Sequence, residues 1–303
     1  MTSLRMFTLC VLSACGGSQP APASPSPAPA APAPTVAAPY ASATTIPTPQ
    51  PVASTSGSSN APPAALPARS AEKTAIDVPP ALRAVVESPD RSAKDRDLDA
   101  GRHPAELLAF AAIRPGMRVA ELGAGGGYTT ELLARAVGPT GVVYSQNTKF
   151  VVDRFADKPW SERLAKPALK NVARVVRDLE DPLPADANGL DAVFVVLVYH
   201  DIVWMGGDRD RLNRSVYAAL KPGGEYIIVD HSAKNGTGLS DVKTLHRIDE
   251  RAVTDEIERA GFHLADVGNF LREPNDARDW NDSPTAAADR RGKSDRFVLR
   301  FVK

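Results

Sequence analysis

A chain of 303 residues with 36 Lys and Arg against 36 Asp and Glu has no net charge. That balance argues against a nucleic-acid partner, because binding phosphate backbones usually shows as a basic surplus. The only cysteines are Cys10 and Cys15; the rest of the chain therefore contains no disulfide, no cysteine nucleophile and no thiolate metal site.

At the N-terminus, Arg5 precedes an apolar run from Met6 to Leu12 broken only by Thr8, and then the small pair Ser13-Ala14 before Cys15. A positive start, a short apolar core and small residues before a cut site describe an export signal too short to span a bilayer. Leu12 to Cys15 resembles the lipobox of bacterial lipoproteins. The resemblance implies that Cys15 takes a diacylglycerol and becomes the new N-terminus. From Gly16 to Ala68 there is no charge, and Ala, Pro, Ser and Thr dominate. Such a segment lacks the apolar surface to offset its conformational entropy and is expected to stay disordered. Its prolines favour polyproline II at roughly 3.1 Å per residue, a semi-rigid spacer. The expected organisation is a signal peptide over 1–14, a tether over 15–69 and one folded domain over 70–303. It places the protein in the cell envelope, lipid-anchored and facing the periplasm, or in the cytoplasm where the signal is not used. The membrane is touched only through the lipid.

Within the domain, the charged stretch "SPDRSAKDRDLDAGRHP" (88–104) predicts a helix or lid, and Pro104 opens the helical "AELLAFAAI". Strand and helix then alternate: "RVAELGA", "TTELLARAVG", "GVVYSQN", "VARVVRD", "LDAVFVVLVYH", "RDRLNRSVYAALK", "GGEYIIVDHS" and "DERAVTDEIERAG". "FHLADVGNFL" and "DRFVLRFVK" close the chain with no helical pattern between them. Apolar, β-branched strands alternating with helices predict a mostly parallel sheet covered on both faces, an α/β fold. The last two strands predict an antiparallel edge hairpin, and the polar loop around 273–294 is expected to cover a site. In such sheets ligands bind beyond the carboxyl ends of the strands.

The first strand ends in "VAELGAGGGYTTELL" (119–133). Its glycines allow tight turning and close approach to a ligand, and the next helix aims its positive end there. The dinucleotide fingerprint fails, since Tyr128 stands where glycine or alanine is needed, and no Walker lysine follows. Instead Glu121 precedes Gly123, giving E-x-G-x-G-x-G. This pattern resembles motif I of class I S-adenosylmethionine (SAM)-dependent methyltransferases. "RDLEDPLP" (177–184), "LDAVFVVLVYHD" (190–201) and "LKPGGEYIIVD" (220–230) resemble later segments of that superfamily, in order. The overall look is similar to a group of bacterial predicted methyltransferases of unassigned substrate. The resemblance implies a Rossmann-like, seven-stranded class I fold with SAM as cofactor. By it, Gly123, Gly125 and Gly127 cradle the methionine part, Glu121 accepts hydrogen bonds near the ammonium or from the adjoining loop, and Asp178 and Leu179 contact the adenine. One departure is visible: Asn147, after Gln146, occupies the place of the acidic residue that holds the ribose hydroxyls. An amide oxygen accepts more weakly than a carboxylate, so ribose binding is expected to be weaker.

Methyl transfer needs acceptor, methyl and sulfur in line, and a base where the acceptor carries a proton. His200-Asp201, Asp230-His231 and His246 lie on the predicted strand ends. His231 is the preferred base; His200 matches a position that often only packs beside the cofactor, and His246 with Arg247 and Asp249 also fits a helix-start network. The carboxylate-and-amide set of Mg²⁺-dependent O-methyltransferases does not appear, so no metal is expected. Trp204, Met205 and Trp280 fit either an apolar acceptor pocket or loop pins. Together these features predict a methyltransferase acting on a small, partly apolar molecule. The alternative is an envelope-anchored binding module or scaffold of the same fold without methyl transfer, because SAM is made in the cytosol.

Overall fold

The computed structural model describes residues 75–303; the expected signal, Cys15 and the tether lie outside them. Three helices come first, α1 (Pro80–Val86), α2 (Ala93–Arg102) and α3 (Pro104–Phe110). Ser92 caps α2 by accepting from the Asp95 N–H at 3.1 Å. The chain turns from α2 into α3 at His103, whose φ of 44° is left-handed, with Pro104 opening the new helix. Strand β1 (Arg118–Leu122), helix α4 (Tyr128–Val137) and β2 (Val142–Asn147) follow as expected.

Residues 149–164, which carry no clean hydrophobic period, wind into α5 (Lys149–Val151), a π-turn (Val152–Ala156) and α6 (Asp157–Leu164). Pro159 is tolerated because it lies in the first turn of α6. Then come β3 (Val172–Val176), β4 (Leu190–Val196), α7 (Tyr199–Met205) and α8 (Arg209–Ala219). The chain ends through β5 (Leu220–His231), α9 (Val242–Leu245), α10 (Glu250–Arg259), β6 (His263–Gly268) and β7 (Arg296–Val302).

The sheet order is β3-β2-β1-β4-β5-β7-β6. The first five strands in that order are parallel, and β7 runs antiparallel to both β5 and β6. The predicted edge pair is thus present, with β7 inserted inside β6. Successive residues of β4 serve opposite faces: Val193 and Val195 join one core with Leu212 and Val216 of α8 and Val253 and Ile257 of α10. Ala192 and Phe194 join the other, with Leu107 and Leu108 of α3 and Leu132 and Leu133 of α4. Burial on both faces is why β4 reads as a continuous apolar run. From β1 the chain moves outward to β2 and β3, then returns to β4 on β1's other side. The crevice beyond the carboxyl ends of β1 and β4 is therefore the topological switch point, where ligands bind in this architecture.

Candidate active site

The β1–α4 loop lies at that switch point. Gly123, Gly125 and Gly127 have φ of 68°, 54° and 78°, left-handed conformations that side-chain-bearing residues rarely adopt. A Cβ at Gly123 would stand 2.6 Å from a Val198 methyl, so the loop lies directly against the end of β4. A Cβ at Gly125 would meet no atom within 4 Å. The middle of the loop faces open space.

Two amides from β2 hold the loop. Gln146 accepts from the Gly123 N–H at 3.0 Å and donates to the Arg177 carbonyl at 2.6 Å, joining the loop to the end of β3. Asn147, fully buried, accepts from the Gly125 N–H at 2.8 Å and donates back to the Gly125 carbonyl at 3.1 Å. A carboxylate could make the first of these bonds but not the second. Beneath the loop, Trp160 donates to Ser145 at 2.9 Å, Ser145 meets Thr130 at 2.8 Å, and Thr130 donates to Glu121. Burial pushes the Glu121 carboxyl up to about 7, against the lowering effect of the Thr130 and Thr129 hydroxyls.

From the start of α4 a narrow cavity runs towards the end of β5, lined by Arg102, Tyr128, Thr129, Leu197, Val229 and Arg296 among others. Gly127 caps α4 without a side-chain acceptor, and the helix's positive end favours an anion there. Arg102 stacks on the Tyr128 ring at 4.5 Å. Among the described residues no carboxylate lies in ion-pair range of its guanidinium. Burial lowers the pKa of Arg102 and of Arg296; the charge of Arg291 adds to the effect at Arg102, and that of Arg102 adds to it at Arg296.

Three histidines converge beyond β4 and β5. His200 is fully buried, and its Nδ1 lies 2.6 Å from Asp230 Oδ1. Asp230 also accepts from the backbone N–H of His200 and of His231, each at 2.8 Å. The ring centroids of His200 and His246 are 4.1 Å apart, and those of His200 and His231 5.4 Å. His231 Nδ1 pairs with Asp282 and lies 3.1 Å from Ser294 Oγ. His246 takes a left-handed φ of 58° at the end of α9. Burial works to lower the His200 pKa, but the charge and hydrogen bond of Asp230 carry it above the ordinary value. Burial lowers His231 despite Asp282. Burial and the two other rings push His246 down to about 4.

Residues 120–228 match the family described as "Methyltransferase domain". Over 130 residues, 43% of this chain, the sequence is 28% identical to the ubiquinone/menaquinone biosynthesis C-methyltransferase of Idiomarina loihiensis. The chain spans about half (49%) of the length of that relative. A SAM-dependent methyltransferase from Aquifex aeolicus superposes with a TM-score of 0.48 at 21% identity, covering 69% of this chain and 97% of that one. A second from Mesorhizobium loti gives 0.45 at 20% identity over 68% and 100%. The matched region runs from β1 through most of β5 and includes the glycine loop, and the sheet order is β3-β2-β1-β4-β5-β7-β6. The domain has the class I methyltransferase fold.

S-adenosylmethionine is the cofactor of that fold, and the residues present fit it. The unobstructed Gly125 backbone allows close approach, and Arg102, a half-buried cation with no carboxylate in ion-pair range among the described residues, suits the methionine carboxylate. The remaining expected contacts are placed as follows. Glu121 lies under the loop, bonded to Thr130 of the next helix. The side-chain oxygen and nitrogen of Asn147 already have partners in Gly125, so a ribose hydroxyl would have to share them. Asp178 is exposed, while Leu179 packs into the core below it.

His246 stands apart from its neighbours: Arg247 reaches Asp276 at 2.7 Å, and Asp249 caps α10 by accepting from the Arg251 N–H at 2.9 Å. Trp280 pins its loop, lying between Arg247 and Arg290 and donating to Asp276 at 2.7 Å. Trp204 is 53% exposed beside the half-exposed Met205. Sequence reading missed Arg102, Arg296 and Asp282. The expectation that the 273–294 loop covers a site was the signal for Asp282; nothing in the sequence set the two arginines apart from the other basic residues.

Proposed function

We propose that this chain transfers the methyl group of SAM to a small, partly apolar acceptor, and that Cys15 anchors it to the cell envelope. The observation that carries the reading is the open backbone of Gly125 at the switch point, adjoined by the buried histidine cluster beyond β4 and β5. SAM supplies an electrophilic methyl on a sulfonium.

In this reading the chain's residues bind, orient and take up a proton. The Gly123–Gly127 loop and Arg102 hold the cofactor's amino-acid end. His231 keeps its Nδ1 on Asp282, leaving Nε2 as the acceptor of a proton from the methyl acceptor. Asp282 is itself fixed, because its N–H donates to the Leu245 carbonyl at 3.0 Å. The exposed Trp204 and Met205 supply apolar surface where α7 ends. Neutral charge, and the quinone-pathway name of the Idiomarina relative, support a small acceptor with apolar character over a charged polymer.

The test is calorimetric titration of S-adenosylhomocysteine into the purified chain. We expect one-to-one binding, abolished by Gly125→Arg, which places a large side chain in the open space and strains a φ of 54°. Unchanged affinity in that variant would remove the loop from the cofactor site. A second reading, an envelope binding module without methyl transfer, is favoured by one feature: the residue in the ribose-holding place is an amide tied to its own loop. Binding of the product analogue without turnover of any acceptor would support it.

A further inference from the structure

His200 has one nitrogen the reaction above does not use. Its Nδ1 is committed to Asp230, which leaves Nε2 on the other side of the ring. Nε2 is buried and has no hydrogen-bond partner. A buried polar atom left unpaired costs roughly 1–3 kcal/mol, so such atoms ask for an explanation.

What faces it is a set of metal-ligand types. Asp201 Oδ1 lies 3.5 Å from His200 Nε2, and the same oxygen lies 3.8 Å from His246 Nε2. All three ligand atoms fall within 4.8 Å of one another. Nitrogen and oxygen ligands about 2.0–2.2 Å from a cation stand roughly 3.0–3.5 Å apart, so small movements complete the shell. The hydrogen bond from His200 Nδ1–H to Asp230 is also the arrangement that orients metal-bound imidazoles from behind.

We propose that His200 Nε2, His246 Nε2 and an Asp201 oxygen bind a divalent transition-metal cation. Two imidazoles and one carboxylate suit Zn²⁺, Mn²⁺ or Fe²⁺ and disfavour Mg²⁺ and Ca²⁺, which take oxygen ligands. His200 forms the buried floor. Asp201, with its side chain 38% exposed, and His246 form the side that solvent can reach, so coordination positions remain for a small molecule. Asp230 and Asp201 supply negative charge that favours a cation beside His200, and binding releases any proton held on Nε2. Resting on the methyl-transfer reading, the cation is placed to take an oxygen atom of the acceptor and lower its pKa.

The experiment is titration of the untagged, chelator-treated full chain with Zn²⁺ alone, in competition with a chromogenic chelator. We expect a single cation per chain. His246→Gln and Asp201→Asn, both partly exposed and so tolerated by the fold, should each weaken binding by more than about tenfold, and Asp230→Asn by about 10–100-fold through loss of orientation. Absence of stoichiometric binding, or equal binding in His246→Gln and Asp201→Asn, would overturn the site. Titrating S-adenosylhomocysteine into the same samples separates the two readings. Cation binding without product binding would remove methyl transfer and leave the metal site standing, and the reverse would remove only the metal site.

Discussion

Glu121 shows how one residue can be read correctly by type and differently by role. Its place before the glycine loop is plain in the sequence, but its burial beneath Thr130, Ser145 and Trp160 is not, because Trp160 comes from a segment without period. The folded protein raises its pKa from 4.5 to about 7. Between those values the folded state holds a proton that the unfolded state has released, so stability falls as pH rises through this window. The loss is complete above about pH 7 and amounts to about 3 kcal/mol at most. Denaturant unfolding at pH 5 and pH 8 should show Glu121→Gln losing less stability than the parent across this range. Equal losses would mean that Glu121 is ionised throughout. Asn147 makes the same point: its departure from a carboxylate was legible, whereas its reciprocal bonds to Gly125 needed the loop's backbone path.

Among the elements, strands and long helices were legible because their apolar periods are regular, as in β4 and α10. Short pieces were not: α7, α9 and the π-turn after α5 owe their form to tertiary contacts. Helix α2 was expected as a helix or lid, and the structure shows what fastens it. Arg163 of α6 reaches Asp95 of α2 at 2.7 Å and Glu131 of α4 at 2.5 Å, and Tyr128 donates to Asp99 of α2 at 2.6 Å. Arg102, at the end of α2, is thereby held over the start of α4. Because Asp95 is buried and paired, Asp95→Ala leaves Arg163 with Glu131 as its remaining carboxylate and should cost about 2 kcal/mol locally. Hydrogen exchange should speed up selectively in α2, and affinity for S-adenosylhomocysteine should drop as Arg102 loses its position. Fast α2 exchange with undiminished affinity would show that Arg102 is not a cofactor ligand.

For the whole molecule, the parallel sheet and its antiparallel edge followed from the order of elements, since the last two strands lack a helix between them. The insertion of β7 between β5 and β6 was not legible, because it depends on how β7 pairs with two strands at once. The proposed tether adds a prediction at this scale. Among the described residues no helix is long and apolar enough to cross a membrane. One acyl chain holds a protein only marginally, whereas the two chains of a diacylglycerol suffice for stable attachment. Cys15→Ser removes the proposed attachment atom and should move the protein from the membrane to the soluble fraction, with the mass of the signal retained on the chain. Sedimentation of the variant with membranes, undiminished after a high-salt wash that removes electrostatic contacts, would place the anchor elsewhere and detach the lipobox reading from that of the domain.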